Sequence, residues 1–148
     1  MMKQQELYTP FTGMTILEKS KLANFLETNT ENGHFSKSEI TEAIECALKE
    51  RPSLGGFILT LKEENKLLGA LVINATGMEN RHPKHRLSLF AVARSHRHNG
   101  IAKHLIRNAM QKTDGDLAIQ LEPGNGEVAF FEKLGFKEKY VEMRLGEL

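Results

Sequence analysis

Cysteine is almost absent from this chain: Cys46 stands alone, so no internal disulfide can form. Its neighbours Ile44, Ala47 and Leu48 set it in the middle of a helix, where a buried, inert thiol is expected rather than a nucleophile. Long apolar runs are missing too. None approaches the ~20 residues needed to cross a bilayer. Met1 to Leu7 is too polar for the apolar core of a signal peptide, so the expected location is the reducing cytoplasm. Without such a signal, the sequon at Asn74-Ala75-Thr76 is read as chance. Charge of one sign is also lacking. The formal net charge is +1, which gives no field to select nucleic acid or an anionic membrane. Tryptophan is absent and only four prolines occur; no repeat, low-complexity tract or long linker breaks the chain. Residues 1–148 are therefore read as one domain with one sizeable core.

The local patterns give an element order. Thr15-x-x-Glu18 is a capping box and opens a helix over about 15–29, with Leu22, Phe25 and Leu26 as its apolar stripe. Ser36-x-x-Glu39 is a second capping box, flanked by Phe35 and Ile40 at hydrophobic-staple positions. It opens a helix that Pro52 closes near Glu50. Glu6 to Thr9 reads as a short strand. Phe57–Lys62 and Lys66–Asn74 form a hairpin about the turn Glu63-Glu64-Asn65, and Thr76 to His85 is a loop. Arg86–Val92 is a third strand, with Leu87, Leu89 and Ala91 on one face and Ser88, Phe90 and Val92 on the other. Apolar residues on both faces make it central. Gly100–Lys112 is a helix, Leu117–Leu121 a strand, and Glu127–Leu134 a short helix stopped by Gly135, which should bring Phe136 back onto Phe131. Lys137–Leu145 ends the chain as an extended segment. The fold class is α/β, of the α+β-like kind, with a mixed and mostly antiparallel central sheet flanked by helices.

The segment between Val92 and Ile101 carries the chemistry. It reads Ala93-Arg94-Ser95-His96-Arg97-His98-Asn99-Gly100, a basic, glycine-containing loop between a strand and a helix. The first amides of a helix have no intrahelical acceptor, and the helix dipole adds about half a positive charge beside them. Together they favour an anion. Gly100 and Ala102 keep the surface low, Arg97 and Lys103 add charge, and Arg97 offers a bidentate fork. Three or four charge-assisted hydrogen bonds, each about 1.5–3 kcal/mol, would hold a diphosphate. The spacing alone leaves a plain strand-to-helix turn with solvated basic side chains equally open. It is not a Walker loop, since Lys103 lacks the preceding glycines and a following Ser or Thr.

Val92-x4-Arg97-His98-Asn99-Gly100-Ile101-Ala102 resembles motif A of the GNAT N-acetyltransferases, whose loop reads Arg/Gln-x-x-Gly-x-Gly/Ala. Phe130-Phe131-Glu132-Lys133-Leu134-Gly135-Phe136 resembles that family's later Phe-Tyr-Glu-Lys-x-Gly-Phe segment, in the same order and with a strand between. The resemblance implies an acyl-CoA N-acyltransferase fold. It implies acetyl-CoA as donor, no metal, and a primary amine, small or peptidic, as acceptor. Arg97, His98, Asn99, Gly100, Ile101, Ala102 and Lys103 would wrap the pyrophosphate, with Asn125 and Phe131 further along the same cofactor. Backbone groups of Phe90, Ala91 and Val92 would pair with the pantetheine arm like an added strand, and an N–H near Val92 would serve as oxyanion donor.

Three positions depart from the family pattern. Arg94 stands where proline is frequent. Phe131 stands where many members carry a tyrosine that protonates the departing thiolate. Gly124 occupies the family's asparagine position, with Asn125 one place later. For the base that deprotonates the amine, Glu122 at the end of a strand comes first, with Glu79, His82 and His85 behind it; Tyr140 is a substitute acid. Gly124-x-Gly126-x-x-Ala129 imitates a dinucleotide fingerprint, yet too little chain follows to complete the unit. His82, His85, His96, His98 and His104 lack helical metal-ligand spacing and are read as solvated. A non-catalytic acyl-CoA-binding module of the same fold remains the alternative, and a nucleic-acid-binding domain is disfavoured by the near-neutral charge. Monomer and homodimer both stay open.

Overall fold

The computed structural model describes residues 3–30, 34–80, 82–122, 124 and 126–146. In chain order the elements are β1 (Lys3–Tyr8), α1 (Ile16–Asn29), α2 (Lys37–Ala47), β2 (Gly56–Glu63), β3 (Lys66–Ala75) and β4 (His85–Val92). A single 3-10 turn (Arg94–His96) follows, then α3 (Ile101–Lys112), β5 (Leu117–Ala118) and α4 (Glu127–Lys133). The sheet order is β1-β2-β3-β4-β5, with antiparallel pairing up to β4 and a parallel β4–β5 step. This is the mixed, mostly antiparallel sheet expected.

Local chemistry sets the helix ends. Both capping boxes form: Thr15 with Glu18 and Ser36 with Glu39 exchange reciprocal hydrogen bonds. The second helix stops at Ala47, earlier than Pro52 implied. Lys49 takes a left-handed conformation (φ 57°), and the Glu50 amide donates to the Glu45 carbonyl at 2.8 Å, so a Schellman-type turn closes it first. At the end of α4 the same motif forms as read. The Gly135 amide donates to Glu132, the Phe136 amide donates to Phe131, and the two rings meet edge to face at 5.7 Å. The β2–β3 hairpin turns on Glu64 and Asn65, both with positive φ, the signature of a two-residue type I′ turn.

Two apolar clusters sit on opposite faces of the sheet. One joins Leu71, Ile73, Phe90 and Val92 to α3 and to Phe131 of α4; the other joins Val72, Leu89 and Ala91 to α1 and α2. Helix α3 lies close on β3 because Gly69 has no side chain: a Cβ there would come within 2.8 Å of Leu105 and 2.9 Å of Ile101.

Two strand readings need correction. Leu87 does not share a face with Leu89 and Ala91; it belongs to the Phe90 and Val92 cluster. The register steps from Val72↔Leu89 to Ile73↔Leu87, so Ser88 is an extra residue in a β-bulge, which reverses the alternation on its far side. Strand β5 is also shorter than expected. It meets β4 only at His85↔Leu117 and Arg86↔Ala118, and residues 119–121 continue without a ladder. The closing segment from Lys137 is likewise unpaired among the described residues.

Candidate functional site

The bulge at Ser88 and the early end of β5 leave one edge of β4 without a strand beside it. Ala91 pairs with Ala70 of β3 on its other side. The loop that follows is anchored by the Ala93 amide, which donates to the Leu68 carbonyl at 2.8 Å. It passes through the 3-10 turn and reaches Gly100, a left-handed residue at φ 79°, ψ 4° that precedes the first turn of α3. An added Cβ on Gly100 would meet nothing within 4 Å, so the space outside this backbone is open. Glycine is favoured there by φ, and it also leaves the approach clear.

The start of α3 differs chemically from those of α1 and α2. The latter two are closed by their own Thr/Glu and Ser/Glu caps, whereas α3 has no side-chain cap and no acidic residue in its first turn. Its leading amides lack a side-chain acceptor and carry the positive end of the helix dipole. Exposed Arg94, Arg97, His98 and Lys103 surround them. Ile101 points into the core at 3% exposure, so its share in the loop is its backbone. An anionic, diphosphate-like group fits this donor set.

The two loop arginines reach back to the C-terminal end of α1. Arg94 Nη2 donates to the Thr28 carbonyl and Arg97 Nη2 to the Asn29 carbonyl, each at 3.4 Å, and Arg97 Nε donates to the Val92 carbonyl at 3.4 Å. Cations suit that end of a helix. Next to it Thr30 forms an isolated antiparallel bridge with Ala91. Because β3 holds the other edge, Thr30 lies on the edge of β4 that β5 leaves unpaired. This contact has no local sequence signal and was not anticipated.

A groove of about 710 Å³ runs between α2 and the ends of β3 and β4. Glu39 and Glu42 line it from α2, Asn74, Arg86 and Ser88 from the sheet, and Gln120 from beyond β5. The Asn74 amide donates to the Ala43 carbonyl at 3.1 Å, and the Ser88 hydroxyl bonds to the Asn74 carbonyl oxygen, tying α2 to the bulge. Cys46 also borders the groove and is half-buried, not the sealed core thiol expected. The two acidic residues were legible only as helix residues, one of them a cap.

The remaining sequence candidates scatter. Glu122 is exposed two residues past Gln120, and Glu79 and His82 are exposed on the loop before β4. His85 opens β4, and its Nδ1 is buried without a partner. Phe131 is 1% exposed, packed between Phe90, Phe130 and Phe136 with ring centroids 5.1–6.0 Å away; its side chain belongs to the core. Asn125 lies outside the described residues. Tyr140 is 62% exposed on the closing segment. His96 and His104 face Ser95 and Gln5, and among the described residues no three His, Cys, Asp or Glu side chains gather as a metal site would require. No helix among those residues is long and apolar enough to cross a membrane.

Comparison with known proteins adds an independent line. The family model for the acetyltransferase (GNAT) family matches residues 20–136. No curated relative matches the sequence. Solved structures share the fold at low identity. The apo aminoglycoside antibiotic 6'-N-acetyltransferase AAC(6')-IG from Acinetobacter haemolyticus superposes with a TM-score of 0.71 at 15% identity, over 100% of this chain and 99% of that one. AAC(6')-Iy, in complex with the bisubstrate analogue CoA-S-monomethyl-acetylneamine, gives 0.69 at 16% identity over 100% of both chains. A ribosomal-protein alanine N-acetyltransferase from Escherichia coli gives 0.64 at 14% identity, over 94% of this chain and 80% of that one.

Proposed function

The chain belongs to the GNAT acetyltransferase family, and on that premise we propose that it transfers acetyl from acetyl-CoA to a primary amine by direct attack on the thioester. The observation that carries the reading is the first turn of α3, which has no cap of its own and is ringed by basic residues. Backbone amides from Arg97 to Lys103, with the Arg97 guanidinium, hold the diphosphate. Phe90, Ala91 and Val92 pair through their backbones with the pantetheine arm. The arm takes the edge position that Thr30 holds at Ala91, so Thr30 gives way as the donor enters.

The donor supplies an activated acyl carbon; the chain supplies position and charge. The Val92 N–H is aimed at the oxygen that becomes negative during attack. The groove beside the Ser88 bulge receives the amine. Glu39 and Glu42 on its wall favour a cationic acceptor, in keeping with a small polyamine-like or aminoglycoside-like molecule. Glu122 takes the ammonium proton through a water, so that a neutral amine attacks. No side-chain acid stands at position 131, and none is needed, since a thiol pKa of about 8.5 lets the sulfur depart as thiolate. All of this belongs to one domain acting in the cytoplasm, without metal.

The test is a thiol-release screen of amines with acetyl-CoA, read with a thiol reagent and by mass spectrometry of the acceptor. Amine-dependent thiol release with a 42-Da acceptor gain, about the mass of one acetyl less a proton, supports catalysis. Tight acetyl-CoA binding with no turnover on any amine leaves the acyl-CoA-binding module as the reading.

A further inference from the structure

Arg86 has no role in the transfer as proposed, yet it stands in the acceptor groove. Leu87 packs on the α3 side of the sheet, so its neighbour Arg86 points to the α2 side and lines the groove, half-buried. Its register partners are Asn74 on one strand and Ala118 on the other. The Asn74 amide already donates to the Ala43 carbonyl, and its oxygen accepts from the Ser88 hydroxyl; alanine offers no polar side chain. Among the described residues no hydrogen bond or ion pair reaches the Arg86 guanidinium, and no other basic residue lines the groove. Arginine does not shed its charge in a protein. Its planar fork, left open toward the groove, matches a carboxylate with two parallel hydrogen bonds.

We propose that Arg86 determines acceptor specificity: it binds the carboxylate of a diamino acid, of the lysine or ornithine kind. The inference rests on the amine transfer proposed above and narrows its acceptor. Glu39 and Glu42 stand three residues apart on one face of α2 and line the groove from that helix. Two carboxylates and one guanidinium leave the lining net negative. The complement is a molecule with two ammonium groups and one carboxylate. A plain diamine would leave Arg86 unmatched, and an amino acid with a single amine would leave the glutamates short of positive charge. A phosphate, which carries close to two negative charges, would be repelled by the same two glutamates. In the bound acceptor the carboxylate meets Arg86, one ammonium rests against Glu39 and Glu42, and the other amine is directed toward the Ser88 bulge. That amine, deprotonated by Glu122 through water, forms its bond to the acetyl carbon as the C–S bond breaks and its electron pair stays on sulfur. The carboxylate takes no part in bond making, so Arg86 acts on KM rather than kcat.

Matched acceptors test this: lysine against lysine amide and cadaverine, and ornithine against putrescine, each with acetyl-CoA and the full chain. Wild type should favour the carboxylate-bearing member in kcat/KM by about tenfold or more, the effect of one charge-assisted contact, and mainly through KM. Arg86→Gln should bring that ratio close to one, and Arg86→Glu should turn it in favour of the diamine. Both members of a pair are read in the same variant, so a loss of folded protein lowers both and leaves their ratio. A wild type that shows no preference for the carboxylate overturns the proposal, as does a preference that survives Arg86→Gln. Calorimetric titration of the same pairs reads the ratio without chemistry. Binding that favours lysine over lysine amide only while Arg86 is present, with no thiol released from acetyl-CoA, upholds the subsite and removes the transfer reaction. Thiol release that is as fast with cadaverine as with lysine upholds the transfer and removes the subsite.

Discussion

Gly100 separates two reasons for glycine that usually coincide. Its φ of 79° favours glycine whatever lies outside; the open space beyond it favours glycine only if a ligand comes close. Alanine there should cost about 1–2 kcal/mol, the penalty for an L-residue in the left-handed region. For a chain of this size that lowers Tm by roughly 2–8 °C. Asparagine tolerates the left-handed conformation and should cost much less. In the free protein the added Cβ meets no neighbour, since nothing lies within 4 Å of it. Against a diphosphate held on the amides of Ile101 and Ala102 both intrude. Losing one charge-assisted hydrogen bond of about 1.5–3 kcal/mol weakens acetyl-CoA binding by about 10- to 150-fold. Gly100→Asn should therefore keep a near-native melt and lose affinity by calorimetric titration. Gly100→Val is a poorer probe, because a β-branched residue at this φ strains the fold as well. If Gly100→Asn binds acetyl-CoA as tightly as wild type, the amides before α3 do not hold the ligand and the site is misplaced.

Two further perturbations test the surrounding structure. Phe131→Tyr restores the family's usual tyrosine, but at 1% exposure among three phenylalanines its hydroxyl is buried without an evident partner. It should cost about 1–3 kcal/mol of stability with no gain in turnover, and a faster enzyme with an unchanged melt would refute the core placement. Glu18 is held below its ordinary pKa, first by the Thr15 backbone amide and then by hydroxyl contacts that include Tyr8. With the folded pKa depressed, the unfolded chain binds more protons. The stabilisation is complete above the unfolded value near 4.5 and is lost as pH falls through the folded one. Chemical denaturation of wild type and Glu18→Gln should show a gap at pH 6 that narrows progressively as pH falls below 4.5; a gap independent of pH would remove the carboxylate from that account.

What could be read from the sequence follows how far apart the interacting residues lie. Both capping boxes, the hairpin turn and the return of Phe136 onto Phe131 depend on residues within six positions of one another, and each formed, the hairpin with Glu63 paired in β2 and the turn tightened to Glu64 and Asn65. The phosphate-binding role proposed for the α3 loop rests on features of the same kind: glycine, basic side chains and a bare helix start are neighbours in the chain. The gap beside it, where β4 and β5 part, does not. Leu87-Ser88-Leu89-Phe90-Ala91-Val92 alternates without a visible flaw, and only pairing with β3 shows that Ser88 is an extra residue. That extra residue puts Leu87 on the face of Phe90. The parallel ladder to β5 goes no further than Arg86, on the near side of the bulge. Beyond it the edge of Ala91 is open, and Thr30, 61 positions earlier in the chain, comes to lie on it. In the proposed reaction the loop would supply the charge that holds an anionic tail, and the place where an acyl group could meet an amine would be the gap where β4 and β5 part. On that proposal the local sequence bears on what kind of molecule is held, while the pairing of distant strands decides where along it chemistry can occur.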